Sequence, residues 1–197
     1  MLKIPNMKLY IKYMVSNCCK LMVKEKLRNL GLHPTEITLG EVEINEEISA
    51  QQHDEVRHTL KKMGLELLED KRSIQIEKIK TAIIEMIHYS DEPPEVNYSE
   101  YISKKLEYDY TYISNLFSEV TGFTIQQYII THRIERAKEL IIYDELSLKE
   151  IAYKLHYSSI AHFSNQFKKV TGLAPSFFKS LKVNKRLAID AFVAEEA

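Results

Sequence analysis

One ten-residue stretch occurs twice in the sequence. Ile113-Ser-Asn-Leu-Phe-Ser-Glu-Val-Thr-Gly122 returns fifty residues later as Phe163-Ser-Asn-Gln-Phe-Lys-Lys-Val-Thr-Gly172. The Ser, Asn, Phe, Val, Thr and Gly positions are identical in the two copies. Each copy spaces its apolar residues as a helix does, and its glycine stands where a helix is expected to end. The repeat therefore predicts two equivalent helices.

A shorter helix and a polar turn are expected before each copy. Two residue pairs have the spacing of a capping box, Asn97 with Glu100 and Ser147 with Glu150. A short helix, a tight turn and a second helix make a helix-turn-helix, so the chain is expected to contain two. Gln126 to Tyr143 reads as a connecting helix of about 27 Å, near the roughly 34 Å between successive major-groove faces.

The N-terminal part alternates short strand patterns with amphipathic helix patterns. Leu9, Ile11 and Tyr13 alternate with polar residues and predict one buried strand face. Cys19 and Met22 belong to the expected apolar stripe of the first helix. The predicted strands are 8–14, 37–39, 42–44 and 65–68, and the predicted helices are 17–30 and one beginning after Ser49. This βαββαβ order predicts a ferredoxin-like module, whereas a helical hairpin with loops leaves the alternating runs unexplained.

After Asp70 the pattern becomes wholly helical, giving an α+β module followed by an all-α domain. A long helix is expected from about Ile76 to Tyr89, because Pro93 and Pro94 forbid its continuation. The expected domains are 1–72 for the ferredoxin-like module, 73–183 for the double helix-turn-helix domain and 184–197 for a C-terminal tail.

Residues 74–182 resemble the DNA-binding domain of the AraC/XylS family of bacterial transcription regulators. The matching stretches are both repeat copies, Tyr128, Arg133-Ile-Glu-Arg-Ala-Lys-Glu-Leu-Ile, Ser147-Leu-Lys-Glu-Ile-Ala and Pro175. The resemblance implies seven helices and two helix-turn-helix units reading adjacent major grooves on one DNA face. At the turns the family commonly has glycine where this chain has Glu107 and His156. This difference from the family pattern bears on the geometry of the two turns and not on the fold.

Base contacts are expected from the exposed N-terminal side chains of the two repeated helices. Asn115 and Asn165 are equivalent, and each can bond an adenine in bidentate fashion. In the second helix Ile160, Phe163 and Phe167 are expected to pack inward. The candidate DNA-binding residues are Tyr110, Thr111, Ser114, Asn115, Ser159, Ala161, His162 and Asn165 for bases, with Lys168 and Lys169 for phosphates. The alternative for all of them is an ordinary solvated helix face.

The adjacent cysteines suggest a second, weaker resemblance. Met14-Val-Ser-Asn-Cys-Cys19, at the junction of a strand and a helix, is similar to the Met-x-Cys-x-x-Cys motif of heavy-metal-associated domains. Soft thiolates suit Cu(I). However, Ser16 occupies the first cysteine position, and neighbouring helical side chains diverge by about 100°. Cys18 and Cys19 are therefore candidate metal ligands, with a small buried apolar role for Cys19 as the alternative.

Length and composition narrow the class of protein. The 197 residues are 45% hydrophobic and contain two cysteines, so we expect a folded chain in a reducing, cytoplasmic compartment without a membrane span. No phosphate loop, nucleophile elbow or His-Glu-x-x-His motif occurs, which predicts a non-enzyme without cofactors. The expected partners are double-stranded DNA, a second subunit and RNA polymerase. The alternatives are a metal-sensing or metal-handling protein and a protein-interaction adaptor.

The net charge of −1 conceals opposite segments. Residues 1–72 carry +1, residues 73–122 carry −5, residues 123–186 carry +6 and residues 187–197 carry −3. Phosphate attraction is therefore expected mainly from the connecting helix and the second helix-turn-helix.

Overall fold

A computed structural model describes residues 7–90 and 97–181, with a small sheet-containing part followed by a helical part. The elements follow the order βαββαβ and then helices only. None of the helices in these two ranges is long and apolar enough to cross a membrane. The predicted tail at 184–197 and the two prolines at 93 and 94 lie outside the described residues.

The N-terminal part is a four-stranded sheet with two helices. The elements are β1 (Met7–Lys12), α1 (Asn17–Asn29), β2 (Pro34–Thr38), β3 (Glu41–Ile44), α2 (Ala50–Lys62) and β4 (Glu66–Leu68). The strand order is β2-β3-β1-β4, and all neighbouring strands are antiparallel. In the central register Leu9 lies opposite Val42, and both side chains are buried.

The amphipathic patterns place one apolar face of each helix on this sheet. Val23 and Leu27 of α1, and Val56 and Leu60 of α2, join one buried cluster with the strand residues. The predicted capping box at Ser49 is present, with reciprocal hydrogen bonds to Gln52. Burial of these apolar side chains, rather than helix propensity, is the main source of stability for such short elements.

Two side chains predicted to face this core are exposed instead. Tyr13 follows β1 with φ of 68° and is 53% exposed, because the strand ends at Lys12 before the alternation does. Met22 of α1 is 48% exposed, since the buried stripe is narrow and comprises Val23 and Leu27.

The rest of the described chain is helical. The helices are α3 (Lys71–Ile84), α4 (Tyr98–Leu106), α5 (Tyr110–Thr121), α6 (Ile125–Tyr143), α7 (Leu148–Lys154) and α8 (Ile160–Thr171), and residues 175–181 are also helical. A π-helical turn, Glu85–Tyr89, follows α3, so the long predicted helix changes its winding before Tyr89.

Packing divides the described residues into two compact units. One contains the residues up to Ile84 together with Ile102–Val120, and the other contains Glu85–Tyr101 together with the residues from Thr121 onward. The first unit thus combines the sheet with α3 and α5. The second unit combines the π-helical turn with α6, α7 and α8. The domain boundary at 72/73 stays a prediction.

Candidate nucleic-acid interface

Helix α5 is held by apolar side chains on one face. Ile113, Leu116 and Phe117 are buried, as the repeat predicts. At its start, the carboxylate of Asp109 accepts hydrogen bonds from the backbone nitrogens of Thr111 and Tyr112 at 2.8 and 3.2 Å. Such a cap satisfies amide groups that have no partner inside the helix. The first turn of α5 is thereby fixed.

Helix α8 has the same construction. Phe163 and Phe167 are fully buried, and their rings lie edge to face with centroids 5.7 Å apart. The Ser159 hydroxyl caps the helix by accepting from the His162 backbone nitrogen at 3.1 Å. Before it, α7 begins with the predicted capping box between Ser147 and Glu150. The Ser147 hydrogen bonds lower the pKa of Glu150.

Both turns adopt a left-handed residue at the position where the family commonly has glycine. Glu107 has φ of 59° and His156 has φ of 58°. This backbone region costs a non-glycine residue of order 1 kcal/mol, so the substitutions leave the turn geometry intact at the expense of some stability. Each left-handed residue follows a leucine and precedes a tyrosine, Tyr108 or Tyr157.

The candidate base-contacting residues of α5 differ in exposure. Thr111 and Asn115 are exposed, whereas Tyr110 and Ser114 are half-buried. Burial raises the pKa of the Tyr110 hydroxyl. Thr111 and Asn115 therefore stand out as the accessible members of this set.

The candidate residues of α8 are all accessible. Ser159, Ala161, His162 and Asn165 are exposed. His162 is also held in place, because its Nδ1 lies 3.1 Å from the Ser158 hydroxyl and its ring meets that of Tyr157 at 5.3 Å.

The expectation that Ile160 packs inward is wrong. It is 47% exposed at the first residue of α8, where the helix has not yet turned toward its core.

Helices α5 and α8 differ in the charge of the side chains near their C-terminal ends. Lys168 and Lys169 are exposed in the last turn of α8. The corresponding position of Lys169 in the first copy is Glu119, whose carboxylate pairs with Arg72 Nη2 at 2.7 Å. An exposed ion pair of this kind contributes little stability, but it places an acidic group where α8 has a basic one.

Sequence reasoning missed a buried arginine in α6. Arg133 is 9% exposed, and its guanidinium carbon lies 3.7 Å from the centroid of the Tyr157 ring. One signal was available, since Arg133 is four residues after the buried Ile129 and four before the buried Ala137. It therefore lies on the apolar stripe of the helix.

The two candidate metal ligands have different environments. Cys18 is exposed, whereas Cys19 packs against the N-terminal core and receives a hydrogen bond from the Ser16 hydroxyl at 3.1 Å. Within residues 7–90 and 97–181, no group of three or more His, Cys, Asp and Glu side chains is arranged to hold a metal ion.

Comparison with known proteins identifies the domain. The family model described as "Helix-turn-helix domain" matches residues 102–180. The chain is 26% identical over 164 residues to the uncharacterized HTH-type transcriptional regulator YtdP of Bacillus subtilis, covering 81% of this chain and 21% of YtdP. It is 33% identical over 78 residues to the Msm operon regulatory protein of Streptococcus mutans, covering 40% of this chain and 28% of that protein.

A solved structure gives a similar match. The C-terminal domain of AraT, a response regulator from Geobacillus stearothermophilus, has 24% identity and a TM-score of 0.48, covering 57% of this chain and 88% of that one. The chain spans 21% of the length of YtdP and 28% of the length of the Msm protein. These two relatives are named as regulators of transcription or of an operon, not as enzymes. Residues 102–180 of this chain are an AraC-type helix-turn-helix domain.

Proposed function

We propose that the protein is a sequence-specific DNA-binding transcription regulator that reads adjacent major grooves with α5 and α8. The observation that carries this is the duplication: two twelve-residue helices, each capped at its start and each preceded by a left-handed turn. A capped helix that shows exposed polar side chains in its first turns is the usual reader of base edges. The regulatory names of YtdP and the Msm protein support the same function.

The proposal assigns different roles to the exposed side chains. Asn115 and Asn165 each present an amide that can pair with adenine, while Lys168 and Lys169 attract phosphates. Thr111, Ala161 and His162 contact neighbouring base edges. Base edges are also assigned to Tyr110, Ser114 and Ser159. The Ser159 hydroxyl oxygen already accepts a hydrogen bond as the helix cap, so its O–H group is what it can donate to a base.

The N-terminal part is proposed to be a ferredoxin-like module over residues 1–72, followed by the DNA-binding domain at 73–183. Its support is the βαββαβ order with an all-antiparallel sheet. The module is proposed to modulate DNA binding by pairing subunits or sensing a signal, in the cytoplasm and in contact with RNA polymerase.

Selection of bound sequences from a random pool of double-stranded DNA tests the function. The expected result is an enriched motif with two elements about one helical turn apart. Absence of any enriched motif would contradict the proposal and favour the protein-interaction adaptor.

Asparagine substitutions test the division of the motif. Asn165→Ala is expected to relax preference at one or two base positions of one element, each by about 1–3 kcal/mol, and Asn115→Ala to do the same in the other element. The matched control is Asn29→Ala, an exposed asparagine at the end of α1, which should leave the motif unchanged. If Asn165→Ala selects the unaltered motif, its assigned role is wrong.

A further inference from the structure

Arg133 is a buried cation, and two of its three side-chain nitrogens have no hydrogen-bond partner among the described residues. Its guanidinium faces the Tyr157 ring at 3.7 Å and the Tyr98 ring at 5.5 Å. Neither of these ring contacts uses a conventional hydrogen-bond acceptor. Its edge is different: Nε and Nη2 are both buried, and no residue in the described part of the chain accepts a hydrogen bond from either.

Nε and Nη2 form one edge of the guanidinium. The two N–H groups on this edge are parallel, and they match two oxygen atoms of one carboxylate or phosphate. The hydroxyl of Tyr98 is also buried without a partner among the described residues. Since a buried donor without an acceptor destabilises the folded chain, this concentration of donors indicates an acceptor.

Arg133 and Tyr98 both line a small, positively charged cavity. Its volume is about 40 Å³, enough for two or three water molecules or one small ionic group but not for a larger metabolite. Arg136, Lys154, His88 and His156 also line it, and none of its described lining residues is acidic. Glu139, beside the cavity, is engaged by Arg136 Nη1 at 2.7 Å and lies 3.9 Å from His88 Nδ1.

The positive charge of Arg133 affects the neighbouring imidazole of His156. Burial, and then the positive charge of Arg133, lower the pKa of His156. His156 therefore adds a donor to the cavity without adding a further positive charge to those of Arg133, Arg136 and Lys154.

We propose that this cavity is a binding site for a small oxyanion, a carboxylate or inorganic phosphate, held by the Nε–Nη2 edge of Arg133 and the Tyr98 hydroxyl. The bound anion neutralises the buried guanidinium and links α6 to the start of α4 and to the turn before α8. Binding of this anion does not depend on recognition of DNA bases.

The test is titration of the full chain, without DNA, with sodium phosphate and separately with sodium acetate at constant ionic strength. Calorimetry and the thermal midpoint report binding, because a ligand that binds only the folded state raises that midpoint in a saturable way. Phosphate saturation without acetate saturation identifies a tetrahedral anion as the ligand, and the reverse identifies a carboxylate.

Two variants examine the geometry. Arg133→Lys keeps the charge and removes the two-donor edge, and it is expected to weaken binding about tenfold or more. Tyr98→Phe removes one hydroxyl and is expected to weaken binding severalfold; it keeps the test decisive if Arg133→Lys fails to fold. Lys138→Gln is the matched control, because it removes a cation from the same helix but not from the cavity lining, and its affinity should equal that of the parent chain.

Three results would overturn the proposal. One is the absence of saturable binding of either anion to the parent chain. Another is unchanged affinity in both Arg133→Lys and Tyr98→Phe. The third is binding that emerges only when Asp91→Asn, Glu92→Gln and Glu95→Gln are combined, which would show that the chain's own carboxylates satisfy Arg133.

Discussion

The two repeat copies and the turns before them have the same backbone plan but differ in surface charge. Glu107 and His156 have φ values within a degree of each other, and α5 and α8 bury aromatic side chains at Phe117 and Phe167, equivalent positions of the repeat. On the surface, Lys169 of α8 replaces Glu119 of α5. A duplicated unit can thus keep its interior while its exposed face changes, because packing constrains the first far more than the second.

The anchoring of the two helices differs as well. In the first unit the Tyr112 hydroxyl donates to Gln75 of α3 at 3.1 Å, and Glu119 pairs with Arg72 of the same helix. Helix α8 instead joins a cluster with α6 and α7, in which the ring of Phe178 meets Phe167 at 5.6 Å. Helix α5 is thus anchored to α3, whereas α8 is anchored to α6 and α7.

The largest effect is expected from the shared interior. Phe117→Ala and Phe167→Ala each remove a fully buried ring at equivalent positions of the repeat, and each should lower the free energy of unfolding by about 3–5 kcal/mol. Urea denaturation followed by circular dichroism measures both. Tyr153→Ala, at a position 78% exposed, is the control and should change stability by no more than about 0.5 kcal/mol. A small effect at only one phenylalanine would break the equivalence of the two interiors.

The next effect concerns phosphate attraction by α8. Lys168→Gln with Lys169→Gln should make the slope of log affinity against log salt shallower by about 1.8, since each phosphate contact contributes about 0.9. Fluorescence anisotropy with non-specific duplex DNA measures the slope. Lys61→Gln with Lys62→Gln removes the same charge from the last turn of α2 and is the matched control. Equal slopes for the two double variants would remove the proposed difference between α5 and α8.

A smaller effect is expected at the caps that begin α4 and α7. Ser147→Ala removes the hydroxyl that accepts from Glu150 N at 3.3 Å, and Asn97→Ala removes the oxygen that accepts from Glu100 N at 2.9 Å. Each should reduce the free energy of unfolding by about 1 kcal/mol. Chemical denaturation checks both, with Ser176→Ala, an exposed serine, as the control. Loss at one cap only would show that the two units begin differently.

The smallest effect is a dependence on pH confined to the second packing unit. Burial lowers the pKa of both His88 and His132, whose Nε2 and Nδ1 atoms lie 3.4 Å apart. Glu139 and Glu135 oppose this lowering, while Arg136 adds to it at His88. Below the ordinary value of 6.5 the unfolded chain binds more protons, so stability should fall as pH decreases through that window.

Thermal unfolding at pH 7.5 and 5.5 measures this dependence. His132→Gln should flatten it, whereas His58→Gln, which changes an exposed histidine of α2, should not. An identical pH profile in His132→Gln would contradict the assignment.

The sequence specified the periodic features of the fold well. Alternation and helical spacing predicted the βαββαβ order. The capping boxes at Ser49 and Ser147 were predicted at the correct residues. Tyr13, Met22 and Ile160 were misplaced because each lies at the edge of a periodic segment, where only the tertiary structure decides which face is covered. The π-helical turn Glu85–Tyr89 has no signature in apolar spacing.

The sequence predicted which residues form the candidate interface, but not the exposure and contacts of their side chains. Repetition identified Asn115 and Asn165, and their exposure agrees with a surface role. Arg133 escaped notice, because a charged residue on a helix is ordinarily assigned to solvent, and the two tyrosine rings that cover it come from distant segments. Such a site is visible only after the chain has folded.

The left-handed residues of the two turns have a consequence for protein engineering. A glycine introduced at Glu107 would relieve the Cβ strain there, with a gain of a few tenths to about 1 kcal/mol after its greater unfolded-state entropy is counted. His156 is the less suitable target, since its imidazole lines the Arg133 cavity. Glu107→Gly is therefore expected to raise thermostability without changing any side chain assigned to DNA.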